Sequence, residues 1–136
     1  MHNFIRQCEQ AEEIQKGHKW KDSDKLAYRR CINVRDCDYE ELLKHPEYYE
    51  ITYRTRKVYE NIDIDKPIWI PTQRQLLVIS GLSWWRFDER CNEIRRCLLE
   101  DPLSEIEVKT KEEAGICVVM EKYNKTWTGE KWQIKE

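Results

Sequence analysis

The sequence predicts a mainly α-helical protein: one compact domain over residues 1–136, with five to six helices, a helical corner at Gly81 and a small C-terminal β-hairpin or turn. Three observations support this fold class. Apolar residues recur at three- and four-residue spacing in several segments. Threonine or aspartate precedes glutamine or glutamate by three residues at several expected helix starts. A length of 136 residues with no change of composition along the chain suits a single domain.

Three short helices are expected in the first half of the chain. Residues 4–14 form an apolar stripe of helical period. A second helix is expected over residues 26–34, with Asp22 or Ser23 as its N-cap. A third is expected over residues 38–46, where a capping pattern is followed by two leucines and then by proline.

The segment Tyr48–Tyr59 fits two structures. Helical spacing places several of its apolar residues on one face, whereas the alternation of Tyr49, Ile51 and Tyr53 is typical of a strand. We expect a helix and keep the strand as the alternative. Residues 61–71 contain two prolines, which exclude a regular helix, so an extended connector is expected there.

The stretch "PTQRQLLVISGLSWWRF" predicts two helices joined by a tight turn. Thr72 and Gln75 form a capping box for the first helix, and Gly81 suits the left-handed residue that ends it. Ser83 is the expected cap of the second helix. The predicted core side of that helix is a seam at three- and four-residue spacing: Trp84, Phe87, Cys91, Ile94 and Leu98.

The C-terminal region predicts the central helix of the protein. Thr110 opens a capping box, and Ala114–Tyr123 is apolar nearly all round, which indicates burial. Gly115 lowers helix propensity by about 1 kcal/mol relative to Ala, so another part of the chain is expected to pass close to it. The last segment predicts a hairpin in which Trp127 and Trp132 pack together.

Charge and composition exclude several classes of protein. The 24 basic and 26 acidic residues give a net charge of -2, which provides no general attraction for nucleic acid or an anionic membrane. No apolar run approaches the ~20 residues of a membrane span, and the first residues lack a signal-peptide pattern. We therefore expect a cytoplasmic protein, with reduced thiols at all six cysteines: Cys8, Cys31, Cys37, Cys91, Cys97 and Cys117.

The corner at Gly81 also resembles a helix-turn-helix that reads DNA. Leu77 and Arg90 depart from that pattern, because a small and an apolar residue are expected at those positions. The second helix contains four arginines and four acidic residues, and the acids oppose phosphate contacts. Nucleic-acid binding is therefore the second interpretation, and its candidate residues are Gln73, Ser83, Arg86 and Arg90.

The preferred interpretation is an ordinary helical corner whose surface binds a protein partner or a second copy of the chain. Large aromatic side chains beside arginines are typical anchors of protein interfaces. The candidate binding residues are Trp84, Trp85, Arg86 and Arg90. No cofactor, catalytic residue or metal ligand is assigned.

A third interpretation, a small metal-dependent nuclease-like enzyme, depends on a few acidic patterns. Asp63 and Asp65 alternate in an extended segment, and Glu107 precedes Lys109 by two residues. A nuclease of this kind also needs a sheet behind its site, which the helical prediction does not provide. The Cys-x5-Cys pairs at residues 31–37 and 91–97 are wider than structural zinc spacings, so no metal site is predicted.

Two motifs of the chain, "IWIPTQRQL" and "MEKYNKTWTGEKW", resemble a family of small proteins of uncharacterised role encoded by bacteriophages and prophages. The resemblance covers Ile68–Leu76 and Met120–Trp132. The resemblance implies a phage- or prophage-type accessory protein in the cytoplasm of a bacterial host cell, and it brings no catalytic residues with it. The residues of both motifs also have structural explanations: a capped helix in the first, and a turn flanked by tryptophans in the second.

Overall fold

The computed structural model describes residues 2–31, 44, 49–55, 67–100, 106 and 108–135. It divides the chain into two compact units, which we call the helical unit (residues 1–17 and 71–136) and the sheet unit (residues 18–70). The single domain expected from the length stays a prediction.

The prediction of a mainly α fold is wrong. Over the described residues, the structure is 52% helix and 22% strand and combines five bounded helices with two small antiparallel sheets. The number of helices in the described residues agrees with the prediction, but most of the strands lie in a region where helices or a connector were expected. The error therefore concerns the sheet unit, where long-range pairing decides the structure.

The sheet unit contains three strands: β1 (Lys25–Cys31), β2 (Tyr49–Thr55) and β3 (Ile68–Ile70). Their order is β2-β1-β3, and both pairings are antiparallel. Ala27, in the middle strand, lies opposite Tyr53 on one side and Ile68 on the other. The helix predicted over residues 26–34 is therefore replaced by a strand in its described part. The apolar residues of this segment recur at i and i+4, which is compatible with a helix or a strand. Pairing with the two neighbouring strands determines that the segment forms a strand.

The strand alternative is correct for the part of Tyr48–Tyr59 that the structure describes, which is β2. The expected connector contains β3, whose Trp69 lies opposite Leu26. Pro67 and Pro71 lie just outside this three-residue strand, where their missing N–H groups interrupt no ladder hydrogen bond. The helix predicted over residues 38–46 lies outside the described residues apart from Lys44, which is helical.

The helical unit contains the five helices and a hairpin. The helices are α1 (His2–Gln10), α2 (Glu12–Gly17), α3 (Gln73–Ser80), α4 (Trp84–Glu100) and α5 (Lys111–Glu121). Strands β4 (Lys125–Trp127) and β5 (Trp132–Ile134) form the hairpin, as predicted. Trp127 and Trp132 are cross-strand partners with ring centroids 5.0 Å apart, and Trp132 Nε1 donates to the Gln7 carbonyl at 2.9 Å.

Helix α5 lies at the centre of the helical unit, which confirms the predicted central helix. Every residue from Glu113 to Met120 is buried, and α1, α3, α4 and β4 all contact the helix. Its N-cap is Thr110, whose hydroxyl accepts from the Glu113 N–H at 3.2 Å. The buried Glu113 carboxylate accepts from Asn3 Nδ2 at 2.6 Å, which ties α1 to the start of α5. None of the helices in the described part of the chain is long and apolar enough to cross a membrane.

Candidate partner-binding site

The corner between α3 and α4 forms as the sequence predicts. Thr72 Oγ1 accepts from the Gln75 N–H at 3.2 Å, and Gln75 Oε1 accepts from the Thr72 N–H at 2.8 Å, so the capping box is complete. Gly81 has a φ of 73° and donates its N–H to the Val78 carbonyl at 3.3 Å. This left-handed conformation favours glycine, and it turns the chain out of α3.

Side-chain hydrogen bonds hold the corner in one conformation. The Ser80 hydroxyl donates to the Leu77 carbonyl at 2.6 Å and accepts from the Leu82 N–H at 3.2 Å. Lys122, at the end of α5, donates to the Ile79 carbonyl at 3.1 Å. A surface fixed in this way loses little conformational entropy when it binds.

Both helices of the corner use one face to pack on α5. Leu76 of α3 is fully buried, and Phe87 and Cys91 of α4 are 4% and 0% exposed. Each helix contacts α5 far more than it contacts the other. An ion pair between Asp88 and Lys111 adds a second link between α4 and α5. The opposite face of the corner is left on the surface of the unit.

Four large apolar side chains are exposed at this corner, and we call them the corner patch: Val78, Leu82, Trp84 and Trp85. Their exposed fractions are 73%, 37%, 70% and 54% in that order. The prediction that Trp84 belongs to the buried seam is wrong. Trp84 is the first residue of α4, one turn before Phe87, and the packing on α5 begins only at Phe87.

The corner patch lies in a segment without negative charge. Between Pro71 and Phe87 the chain contains two arginines and no acidic residue, although 26 of its 136 residues are acidic. Arg74 and Arg86 are both exposed, and the Arg86 guanidinium lies 5.8 Å from the ring centre of Trp85. The corner patch is therefore apolar with two flanking arginines, and the next turn of α4 adds the exposed Glu89.

Arg90, the fourth predicted binding residue, is already paired within the protein. Its guanidinium donates to both Glu121 carboxylate oxygens at 2.9 and 2.8 Å and to Glu93 at 2.8 Å. The hydrogen bonds to Glu121 and then to Glu93 raise the pKa of Arg90 further above its usual range. A partner must displace a carboxylate to use this residue, so Arg74 and Arg86 are the available cations.

The two remaining candidates for nucleic-acid binding differ in their surroundings. The amide of Gln73 is buried, and its Oε1 is directed at α5, 3.3 Å from the position that a β-carbon on Gly115 would occupy. Ser83 is exposed. The described hydrogen bonds include side-chain caps at Thr72 and Thr110 but none from Ser83, in contrast to the prediction.

The cysteines of the helical unit are free thiols: Cys8, Cys91, Cys97 and Cys117. Burial raises the pKa of Cys91 to about 11 and that of Cys117 to about 12, so these two remain protonated and poorly nucleophilic at neutral pH. The described residues contain no group of three metal-ligating side chains. The side chain of Cys31 and all of Cys37, Asp63, Asp65 and Glu107 lie outside the described residues.

The sheet unit contains a polar cluster that sequence reasoning missed. His18 Nε2 lies 2.6 Å from Asp24 Oδ2, and the same oxygen accepts from the Lys21 N–H at 2.7 Å. The imidazole stacks on Trp69 with ring centroids 3.5 Å apart and an interplanar angle of 6°. The Asp24 side chain is fully buried, so the pair fixes the loop before β1 against β3. A histidine and an aspartate six residues apart form no recognisable motif.

No protein-family model matches the chain, and neither the curated proteins nor the solved structures compared with it provide a match.

Proposed function

We propose that this protein acts by binding a protein partner through the corner patch, without catalysis, as a phage- or prophage-type accessory protein in the bacterial cytoplasm. The observation that supports this most is the exposure of two adjacent tryptophans, Trp84 and Trp85, by 70% and 54%. Tryptophan is among the residues most enriched at the energetic centres of protein interfaces.

The rigidity of the corner supports the same proposal. A buried tryptophan removes about 150–250 Å² of surface from water, so two of them offer a large gain on binding. The capping box, the Gly81 turn and the Lys122 hydrogen bond hold both side chains on a fixed backbone before a partner arrives. The loss of conformational entropy on binding is then small compared with that gain.

The charge of the site indicates the chemistry of the partner. Arg74 and Arg86 flank the apolar residues, and the segment Pro71–Phe87 contains no carboxylate, although Asp88 and Glu89 follow it in the next turn of α4. A complementary surface has an apolar centre and acidic residues at its rim. We therefore expect a protein partner of that composition.

Nucleic-acid binding remains the second candidate because the first turn of α4 is exposed and includes Arg86, as in a recognition helix. The pairing of Arg90 and the inward amide of Gln73 favour the protein partner instead. We expect no duplex DNA binding tighter than micromolar at ~150 mM salt. Sub-micromolar, salt-sensitive binding in fluorescence anisotropy that Arg86→Ala abolishes would reverse the order of the two candidates.

Photo-crosslinking in bacterial cells tests the proposal at its central residue. A photoreactive phenylalanine analogue replaces Trp85 in one variant and Leu99 in a matched control, because Leu99 is an apolar residue of the same helix and is 77% exposed. We expect a discrete protein adduct from position 85 and none from position 99. Equal adducts at both positions, or a nuclease-sensitive adduct at position 85, would contradict the proposal. An adduct with the mass of two copies of the chain would show that the corner patch binds a second copy instead of an acidic partner.

A further inference from the structure

A cavity of about 190 Å³ lies in the helical unit, away from the corner patch. It is bounded by the second half of α4, by α5, by the hairpin and by the segment before α5. Its walls are mostly apolar and include Ile94, Leu98, Val108 and Trp127. An apolar cavity of about 150 Å³ accommodates one benzene molecule, so this cavity has room for a single aromatic ring with a short substituent.

Among the described residues, four charged side chains line the cavity, three cations and one carboxylate: Arg90, Lys125, Lys135 and Glu121. Arg90 makes two hydrogen bonds to Glu121, and Lys125 is paired with Glu13. These two cations are therefore occupied.

Lys135 is the least engaged of the three cations. Its ammonium lies 3.8 Å from a Glu121 oxygen that already accepts from Arg90 at 2.8 Å. The Lys135 side chain is 46% exposed, which allows it to reach a ligand at the mouth of the cavity. An anionic group placed there gains a charged partner and competes only with this longer contact to Glu121.

Trp127 forms part of the apolar wall of the cavity. The residue is 4% exposed, and its Nε1 is buried and has no hydrogen-bond partner among the described residues. Because this nitrogen is closed off from solvent, the indole contributes its apolar ring surface to the wall.

We propose that this cavity binds a small aromatic carboxylate, with the ring between Leu98 and Trp127 and the carboxylate at Lys135. The ring replaces water against the apolar wall, and the carboxylate pairs with Lys135, whose contact with Glu121 is longer than the ion pairs of Arg90 and Lys125. The site is independent of the corner patch, so its failure would leave the proposed function untouched.

Phenylacetate is the probe, and its neutral analogue phenylacetamide is the control ligand. Isothermal titration and the indole N–H resonances in ¹H–¹⁵N NMR spectra measure binding, with the Trp127 signal assigned from a Trp127→Phe variant. We expect phenylacetate to bind with a Kd of about 1 mM or tighter, as suits a ligand of about ten heavy atoms, and to shift the Trp127 signal. Lys135→Gln should weaken the binding of phenylacetate about threefold to fivefold and leave the affinity for phenylacetamide unchanged.

A variant that fills the cavity tests whether the ligands bind inside it. Cys97 is exposed on α4 and lines the cavity, so Cys97→Trp should abolish binding of both ligands while the circular dichroism spectrum stays native. Arg96→Trp is the matched control, because Arg96 is exposed on the same helix and does not line the cavity. No shift of the Trp127 signal at millimolar phenylacetate, or equal binding by the Cys97→Trp and Arg96→Trp proteins, would overturn the proposal. Equal affinities for phenylacetate and phenylacetamide would overturn the role of Lys135.

Discussion

Replacing Gly115 with alanine tests the packing at the centre of the helical unit. A β-carbon at this position would lie 3.1 Å from both Leu76 Cδ1 and Phe87 Cζ and 3.3 Å from Gln73 Oε1. Side chains from two helices must therefore move together to accept one methyl group. Overpacking of this kind costs about 1–3 kcal/mol, whereas the better helix propensity of alanine returns about 1 kcal/mol. We expect Gly115→Ala to lower the free energy of unfolding by about 1 kcal/mol.

Urea denaturation followed by far-UV circular dichroism measures the change. Gly17→Ala is the control, since a β-carbon there meets no atom within 4 Å, and it should change stability by at most about 0.5 kcal/mol in the favourable direction. Leu76→Ala empties a fully buried site and should cost about 3 kcal/mol. In the double variant Leu76→Ala/Gly115→Ala, the new methyl group enters the space that Leu76 vacates. The loss of stability should therefore be about 1 kcal/mol smaller than the sum of the losses in the two single variants. A stabilising effect of Gly115→Ala, like that of Gly17→Ala, would refute the close contact of α3 and α4 with α5.

Three further substitutions test two ion pairs and the contact between His18 and Asp24. Glu121→Gln removes the carboxylate that joins α5 to α4 and should cost about 1 kcal/mol in urea denaturation at low salt, less at high salt. Burial raises the pKa of Glu13, but the hydrogen bond and charge of Lys125 outweigh it, so the pKa lies below its usual value. The pairing therefore stabilises the protein at neutral pH, and this stabilisation is lost in acid. The stability difference between the wild type and Glu13→Gln should therefore shrink from about pH 7 to about pH 3. His18→Ala removes the group that lies 2.6 Å from the buried Asp24 carboxylate, and it should lower the free energy of unfolding by about 1–3 kcal/mol. If other contacts of Asp24 compensate for this loss, near-UV circular dichroism should still report the lost ring stacking.

The helical unit could be predicted because its signals are local. Thr72 and Gln75 cap α3 within four residues, and Gly81 ends it through its own backbone conformation. The close approach at Gly115 was also expected, since a glycine in a buried helix is costly without a packing reason. None of these features depends on a distant strand.

The sheet unit could not be predicted in the same way. β1 pairs with β2 and β3, which are separated from it by many residues, and its own pattern of Leu26, Ala27 and Cys31 fits a helix equally well. Period alone does not distinguish a short strand in the middle of a sheet from one turn of a buried helix. The pairing partners decided the structure.

The candidate sites were predicted only in part. Trp85 and Arg86 were identified from their residue types, but the exposure of Trp84 depends on where the contact with α5 begins, which no spacing rule specifies. The cavity beside Trp127 is assembled from helices, hairpin and a connecting segment, and its lining residues share no motif. A buried indole N–H without an acceptor becomes visible only in the folded structure.

The affinity of the corner patch for its partner is the most direct test of the account. The protein crosslinked at position 85 is purified, and its Kd is measured for the wild type, for Trp85→Ala and for the control Leu99→Ala by isothermal titration. Loss of a central interface tryptophan should weaken binding about 30-fold, corresponding to about 2 kcal/mol, whereas Leu99→Ala should change the Kd by less than about twofold. A Trp85→Ala protein that unfolds like the wild type and binds with the wild-type Kd would contradict the account.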